Sequence, residues 1–376
     1  MITTENTPNR KPRALVISSY PAPYRVAVFR DLAKVYDLDV FFREGNNENR
    51  NEKWFPKSGE FRFYILDDEE TKKLFSSKIK HIREYDFVIP YDVTSKAAIQ
   101  SICLCRLFHI PYYVNCDGAI LRKNLLRDIV KRFLFRGAAG CFSSGKTADM
   151  YFEYYGVKKE KIFHHVFTSL TDEDILAEPV DKESKKKIRQ QLGLPVEKRI
   201  VLSVGRFIPV KGFPYLIKAW SEIKSDALLI IIGGGEEKEL YQNHICELGA
   251  KNIQILDFME KDELSKYYLA ADAFALLTLG DVWGLVINEA MAYGLPVLTT
   301  YTCVAGVELI EEGINGYLVD ANAVEDVKVA LERLIHDEEL CASIGKNNIR
   351  KIQNATIDNI AKSHIEAIEK TYRRRR

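Results

Sequence analysis

Two carboxylates stand eight positions apart in Asp281-Val-Trp-Gly-Leu-Val-Ile-Asn-Glu289, across a stretch that reads as a loop opening into a helix. Small and apolar residues recur at helical spacing from Gly284 to Tyr293, Gly294 suits the helix end, and Pro296 opens a β-branched run that reads as a strand. Asp281 and Trp283 then sit on a loop at the mouth of a strand–loop–helix unit. The first N–H groups of that helix, at Gly284 and Leu285, can face an anion. Glu289, about one turn further on, can accept hydrogen bonds from a diol. A diphosphate beside a ribose is the outline of a nucleotide sugar.

Two further segments supply complementary groups. Gly205-Arg206-Phe-Ile-Pro-Val-Lys211-Gly212 follows the aliphatic run Arg199–Val204, and its two cations flank a loop. Arg206 offers a planar fork of donors and Lys211 a point charge, so together they can hold a diphosphate from two sides. There they would stabilise the negative charge that grows on a departing nucleoside diphosphate. Gly233-Gly-Gly235, centred on Gly234, follows another aliphatic run and precedes a helix, so its backbone can come close to a ligand.

The stretch from Asp281 to Glu289 resembles the Glu-x7-Glu signature of a large family of retaining glycosyltransferases, glycosyltransferase group 1, and the resemblance runs through most of the chain. One position departs, since the first glutamate of the signature is Asp281 here. The resemblance implies a GT-B-like α/β fold, two doubly wound Rossmann-like domains facing across a cleft. It implies that Asp281 lies near the transferred sugar, that Glu289 holds the ribose, and that the Gly234 loop borders the nucleotide. Gly205, Arg206 and Lys211 fall on the family's Gly-Arg…Lys-Gly motif. Phe258 and Met259, in Asp257-Phe-Met-Glu260, fall where relatives hold the base, although glycine is usual where Glu260 stands.

A narrower resemblance, to capsule and polysaccharide transferases, is carried by Tyr20-Pro-Ala-Pro-Tyr-Arg25 and Cys116-Asp117-Gly118. Many relatives have a histidine where Asp117 stands. With Gly118 permitting a tight turn, Asp117 is placed to touch the donor sugar or to accept the acceptor's proton, unless it is a plain Asp-Gly turn. The resemblance implies transfer with retention to a hydroxyl of a saccharide acceptor, lipid-linked, in capsule, exopolysaccharide or lipopolysaccharide assembly. No cofactor or metal is expected. Asp37-Leu-Asp39 stands at a strand start rather than in a cleft loop, so Arg206 and Lys211 take the place of a metal.

The elements that must position these groups alternate along the chain. Strand patterns at Arg13–Ser19, Leu38–Phe42, Phe61–Leu66, Phe87–Pro90, Tyr112–Asn115, Ala139–Ser143 and Ile162–Val166 are separated mostly by helical stretches, which argues for a parallel sheet. Residues 46–59 lack periodicity and read as a long loop. From Thr168 to Lys187 the pattern dissolves, and a second series follows at Arg199–Val204, Ala227–Ile232, Ile253–Leu256, Ala273–Leu276 and Val297–Thr300. The resulting division is a first domain over 1–170, a linker over 171–190 and a nucleotide-sugar domain over 191–355. A last helix, 356–376, crosses back to the first domain by the same resemblance.

A chain of 376 residues with a hydrophobic fraction of 47% suits two ordinary domains. Its net charge of +1 conceals 28 basic against 20 acidic residues up to position 165 and 26 against 33 after it. The basic half points to something anionic, a membrane surface, a lipid phosphate or nucleic acid, and of these an anionic membrane surface and no nucleic acid is the expectation. The seven cysteines show no CxxC pattern, no apolar run is long enough to span a bilayer, and the start has no apolar leader. A cytoplasmic protein, peripheral on the inner face of the cell membrane, is the expectation.

The segment Arg122–Arg136 carries six cations against one acid, with Leu125, Leu126, Ile129, Val130 and Phe133 on one helical face. That face docks on the sheet, and the cationic remainder is either a solvated face or, together with Arg373–Arg376, lies on lipid headgroups. Gly140-Cys-Phe-Ser-Ser-Gly-Lys-Thr147 formally satisfies GxxxxGK[ST], but the strand needs its first residues, and Ser144 reads as the cap of the next helix. His164 and His165 read as packing or hinge residues. The rival functions are a sugar-nucleotide epimerase on the same plan, a phosphate-loop nucleotide hydrolase and a catalytically silent binding subunit.

Overall fold

The computed structural model describes residues 10–45, 60–121 and 124–372. The long loop read at 46–59 and the terminal arginines 373–376 lie outside the described residues. The chain divides into two compact units, 1–167 with 357–376, and 168–356.

In the first unit β1 (Arg13–Ser18), α1 (Pro23–Val35), β2 (Asp37–Phe42), β3 (Arg62–Ile65), α2 (Glu69–Lys80) and β4 (Phe87–Pro90) form a parallel sheet of order β3-β2-β1-β4. After α3 (Lys96–Leu107), β5 (Tyr113–Cys116), α4 (Leu125–Arg136), β6 (Gly140–Ser143), α5 (Lys146–Tyr154) and β7 (Ile162–His164) continue it in the order β5-β6-β7. A parallel bridge between Val88 and Tyr112 joins the two parts. Period-two alternation explains why both faces are covered. Leu15, Ile17 and Phe41 enter one core layer, whereas Ala14, Val16, Val40 and Phe42 enter the other.

Asp39 points into this core and receives Tyr85 at 2.5 Å, Lys78 at 3.1 Å, Arg13 at 3.4 Å and also Arg62. Burial resists its charge, but these donors outweigh burial and hold its carboxyl below the usual range. Asp37-Leu-Asp39 is thereby an ion-pair hub.

The second unit contains α6 (Lys182–Leu192), β8 (Ile200–Val204), α7 (Phe213–Ser221), β9 (Leu228–Ile232), α8 (Lys238–Glu247), β10 (Ile253–Leu256), α9 (Lys261–Ala270) and β11 (Ala273–Leu276). It continues through α10 (Leu285–Ala292), β12 (Val297–Thr300), α11 (Val304–Leu309), β13 (Gly316–Val319), α12 (Val324–His336) and α13 (Glu338–Ile352). Its parallel sheet has the order β10-β9-β8-β11-β12-β13, with the switch between β8 and β11 that doubly wound sheets use to bind ligands. The sequence reading stops at β12. It misses β13, whose four residues begin with a glycine and give almost no alternation.

The stretch 171–190, read as a linker, belongs to the second unit. Its lysine-rich helix α6 is amphipathic through one buried cation: Arg189 donates to the Ala270 carbonyl at 2.9 Å and to Asp272 at 2.6 Å. Composition shows polar residues there but not that one of them is a core anchor. The last helix, α14 (Ile357–Tyr372), belongs to the first unit, where it packs on α1, β6 and β7 through Ile357, Ile360, Ala361, Ala367 and Ile368.

Candidate active site

Each site segment of the second unit follows the carboxyl end of a strand. Because all the strands run parallel, the segments share one edge of the sheet. Gly205 to Lys211 follows β8, Gly233 to Gly235 follows β9, Phe258 and Met259 follow β10, and Asp281 to Gly284 follow β11.

The first two loops are pressed together. The Phe207 N–H donates to the Gly234 carbonyl at 2.8 Å, and that of Glu237 to the Phe207 carbonyl at 3.1 Å. A Cβ at Gly233 would lie 1.9 Å from the Gly205 carbonyl oxygen, so only glycine permits this approach. The glycine triplet therefore serves the loop carrying Arg206, which is half-buried. Phe258 lies beside Gly234, where an added Cβ would sit 3.8 Å from its own. The Phe258 ring is exposed and Met259 is half-buried.

Lys211 and Asp281, seventy positions apart, form an ion pair. Its geometry is fixed by backbone on both sides. The Val210 carbonyl accepts from the Leu279 N–H at 2.7 Å and the Thr278 hydroxyl at 2.8 Å. Gly212 takes a left-handed φ of 66° against the Leu277 carbonyl. On the other side, Asp281 donates its N–H to Thr302 at 3.1 Å and accepts at its carbonyl from Val304 at 3.2 Å.

Gly284 caps α10 with a φ of 101°, and Leu285 starts the helix half-buried. A Cβ at Gly284 would meet the Cys303 sulfur at 2.8 Å. The sequence reads Trp283 as a donor contact; in the structure its side chain is turned inward. Its indole is 3% exposed and its N–H is satisfied by Asn288 at 2.8 Å, so the ring is a core group beneath the loop.

One turn into α10, Glu289 is half-buried and accepts from the hydroxyls of Tyr268 at 3.0 Å and Ser169 at 3.3 Å. Burial raises its pKa, opposed by these two hydrogen bonds. Two carboxylate oxygens still leave acceptor capacity for a diol. Glu289 thus forms a second cluster, and no described hydrogen bond or ion pair joins it to Lys211 or Asp281.

In the first unit Asp117, just past β5, pairs with Arg25 of α1 and accepts from the Asn115 amide at 2.6 Å. Arg25 is buried, its guanidinium 4.4 Å from the Tyr91 ring centre and within 5.7 Å of those of Tyr24 and Phe167. Tyr91 in turn meets His364 of α14 at 2.9 Å, and His364 stacks on Phe142 at 3.8 Å and lies 5.0 Å from His165. Burial pushes His165 down to about 4 and His364 well below its ordinary value. Among the described residues no three of His, Cys, Asp or Glu converge as metal ligands.

Residues 184–351 match the family model of glycosyl transferases group 1. Over 150 residues the chain is 35% identical to an uncharacterised glycosyltransferase of Haemophilus influenzae, a match covering 39% of this chain and 42% of that protein. A D-inositol 3-phosphate glycosyltransferase of Corynebacterium aurimucosum is 30% identical over 212 residues, 54% of this chain and 49% of the other. The chain thus spans about half the length of these curated relatives. The crystal structure of Anabaena HepE in complex with UDP superposes with a TM-score of 0.76 at 20% identity, covering 95% of this chain and 100% of that one. The fold is therefore the GT-B plan, α/β with parallel sheets in two Rossmann-like units.

The site segments from Gly205 to Glu289 all lie within the group 1 segment, and Asp117 lies outside it. Sequence reasoning misses Tyr268 and Ser169, the donors on Glu289, because neither stands in a motif. It also gives no role to Arg25, although this residue closes Tyr20-Pro-Ala-Pro-Tyr-Arg25. The phosphate-loop pattern is separated from a real loop by distance alone: β6 ends at Ser143 and α5 starts at Lys146. Ser144 does not cap α5; Gly145 holds the cap position, and the hydroxyl bridging Gly145 and Asp149 is that of Ser143.

Proposed function

We propose that the protein is a retaining, metal-independent glycosyltransferase that moves a sugar from a nucleotide donor to a hydroxyl of a lipid-linked saccharide in cell-surface polysaccharide synthesis. What supports the reading is the convergence of the Gly205–Lys211, Gly233–Gly235 and Asp281–Glu289 segments on the carboxyl edge of one doubly wound sheet. In the reaction the acceptor oxygen bonds the anomeric carbon as the bond from that carbon to the phosphate oxygen breaks, and the hydroxyl proton passes to the departing phosphate oxygen. Arg206 and Lys211 supply positive charge to the departing diphosphate. Asp281 holds the Lys211 ammonium in place and faces the sugar, and Glu289 receives the ribose hydroxyls. The carboxylate of Asp117, held by Arg25 and Asn115, keeps acceptor capacity and is read as a group that receives sugar hydroxyls.

The Anabaena HepE structures hold UDP, UDP with glucose, and UDP-glucose, which makes UDP-sugars the first donors to test. A panel of UDP-, GDP- and ADP-sugars is screened for thermal stabilisation, since a ligand that binds only the native state raises the melting temperature. The expected hit is one nucleotide sugar whose effect disappears in Glu289→Ala and persists in Lys146→Ala. The reverse pattern would establish a phosphate-loop nucleotide hydrolase. Nuclear magnetic resonance of the transferred sugar then reads the anomeric configuration, and inversion would refute retention.

A further inference from the structure

Helix α4 is attached to the first unit by its polar side. Asp128 is buried and accepts from the hydroxyls of Tyr154 at 2.9 Å and Tyr155 at 3.0 Å. Lys131 is half-buried, donates to the Tyr151 hydroxyl at 2.6 Å, and lies over the Tyr151 and Tyr155 rings. Burial, helped by the neighbouring Arg127, pulls its pKa down. Leu134 and Phe135 complete this inner side.

The outer side is apolar. Leu125 is 78% exposed, Leu126 76%, Ile129 59%, Val130 47% and Phe133 46%. At 100° per residue these five fall on one stripe, with Arg127 on one flank, Arg132 on the other and Arg136 in line with the stripe at the end of the helix, all three exposed. Ile120 and Leu121, just before the helix, are exposed as well. A surface helix ordinarily turns its apolar stripe inward. The structure departs from the sequence reading in two respects, since the apolar face does not dock on the sheet and Lys131 turns inward, while Arg127, Arg132 and Arg136 stay exposed.

We propose that α4 is an interfacial membrane helix, lying in the plane of an anionic bilayer with its aliphatic stripe among the acyl chains. Three features select this occupant over a protein partner. The stripe holds four aliphatic side chains and one aromatic, with no polar group to fix a protein's register. Arginines line both of its edges, where lipid phosphates would stand. The half of the chain that contains it carries the excess of positive charge, 28 basic against 20 acidic residues. The inference goes beyond the proposed reaction and does not depend on donor binding. It brings the first unit to the surface on which a lipid-linked acceptor resides.

The test is cosedimentation of the full chain with vesicles of phosphatidylcholine, alone or mixed with phosphatidylglycerol. Wild type should pellet with the mixed vesicles at low salt and progressively less as salt screens the charges. Changing Leu125, Leu126 and Ile129 together to serine should weaken binding at least about tenfold at every salt concentration, because inserted methylene groups are lost. Changing Arg127, Arg132 and Arg136 to glutamine should flatten the salt dependence. In a separate variant, Leu126→Trp, added mixed vesicles should shift the tryptophan emission to the blue, which keeps the test decisive even if the triple variant folds poorly. The proposal is overturned if wild type ignores mixed vesicles at low salt, if the serine variant binds as wild type does, or if the Leu126→Trp emission stays unshifted. It is equally overturned if light scattering shows a wild-type dimer that the serine changes dissociate, because a second copy then covers the stripe.

Discussion

Glu289 is half-buried among Tyr268 and Ser169, and burial raises its pKa. A carboxyl with a raised folded pKa binds its proton more tightly in the folded than in the unfolded chain, so its ionisation lowers stability as pH rises through that range. Glu289→Gln keeps the shape and removes this cost. The melting temperature of the ligand-free protein should therefore rise at neutral pH, with the gain vanishing in acid. Donor affinity should fall in the same variant, by about 1–3 kcal/mol if a charged hydrogen bond to a diol is lost. Calorimetric titration with the donor checks the second half, and unchanged affinity would take Glu289 out of the site. Lys211 and Arg206 call for a different outcome. Their charge matters most as the diphosphate departs, so Lys211→Ala and Arg206→Ala should lower kcat by more than they raise KM. Initial-rate kinetics separates the two, and a purely KM effect would assign both residues to uniform binding.

At the scale of elements, the second unit's site depends on two loops whose backbones touch. A methyl group at Gly233 must displace the Gly205 carbonyl, so Gly233→Ala should destabilise the protein by about 1–3 kcal/mol, the usual cost of overpacking. It should also weaken donor binding, because the displaced carbonyl belongs to the Arg206 loop. Denaturant unfolding with unchanged stability would show that the loops separate freely. In the first unit the packing of α14 beside β7 stores a pH dependence. His165, 7% exposed, is pushed down to about 4, whereas an unfolded imidazole titrates near 6.5. Between those values the unfolded chain binds the proton that the folded one refuses. Stability is full above the upper value and falls toward the lower one, by roughly 3 kcal/mol for this residue. Thermal unfolding of His165→Gln should show a shallower decline between neutral and acid pH than wild type. Parallel curves would mean that His165 is not the group responsible.

At the scale of the molecule, the chain leaves the first unit at Phe167 and returns to it at Ile357. The returning helix covers Phe29, Phe87, Tyr113 and Phe142 with Ile357, Ile360, Ala361, Ala367 and Ile368. Fully burying an isoleucine contributes about 1.5–3 kcal/mol, so losing three removes an amount comparable to the roughly 5–15 kcal/mol that holds a domain folded. Truncation after Thr356 should leave the first unit open to limited proteolysis, while the second unit, 168–356, remains protected by the donor. Identical digestion of the truncated and full chains would overturn this. No helix among the described residues is long and apolar enough to cross a membrane.

The amino-acid sequence by itself determined the alternation of strands and helices, because period-two and period-3.6 apolar patterns are local properties. It also marked the Gly205–Lys211, Gly233–Gly235 and Asp281–Glu289 segments, whose spacing is local as well. What it did not hold is which groups meet across long separations. The Lys211–Asp281 pair, the Tyr268 and Ser169 donors on Glu289, and the buried Arg25 beneath Asp117 exist only once strand order and loop contacts are fixed. The same limit applies to faces. Trp283 reads as a ligand contact and its indole is buried, while the apolar stripe of α4 reads as core and stands in solvent. Periodicity tells which residues share a side of a helix. Only the tertiary structure, through Asp128 and Lys131 turning toward the tyrosines of α5, decided which side the protein keeps for itself.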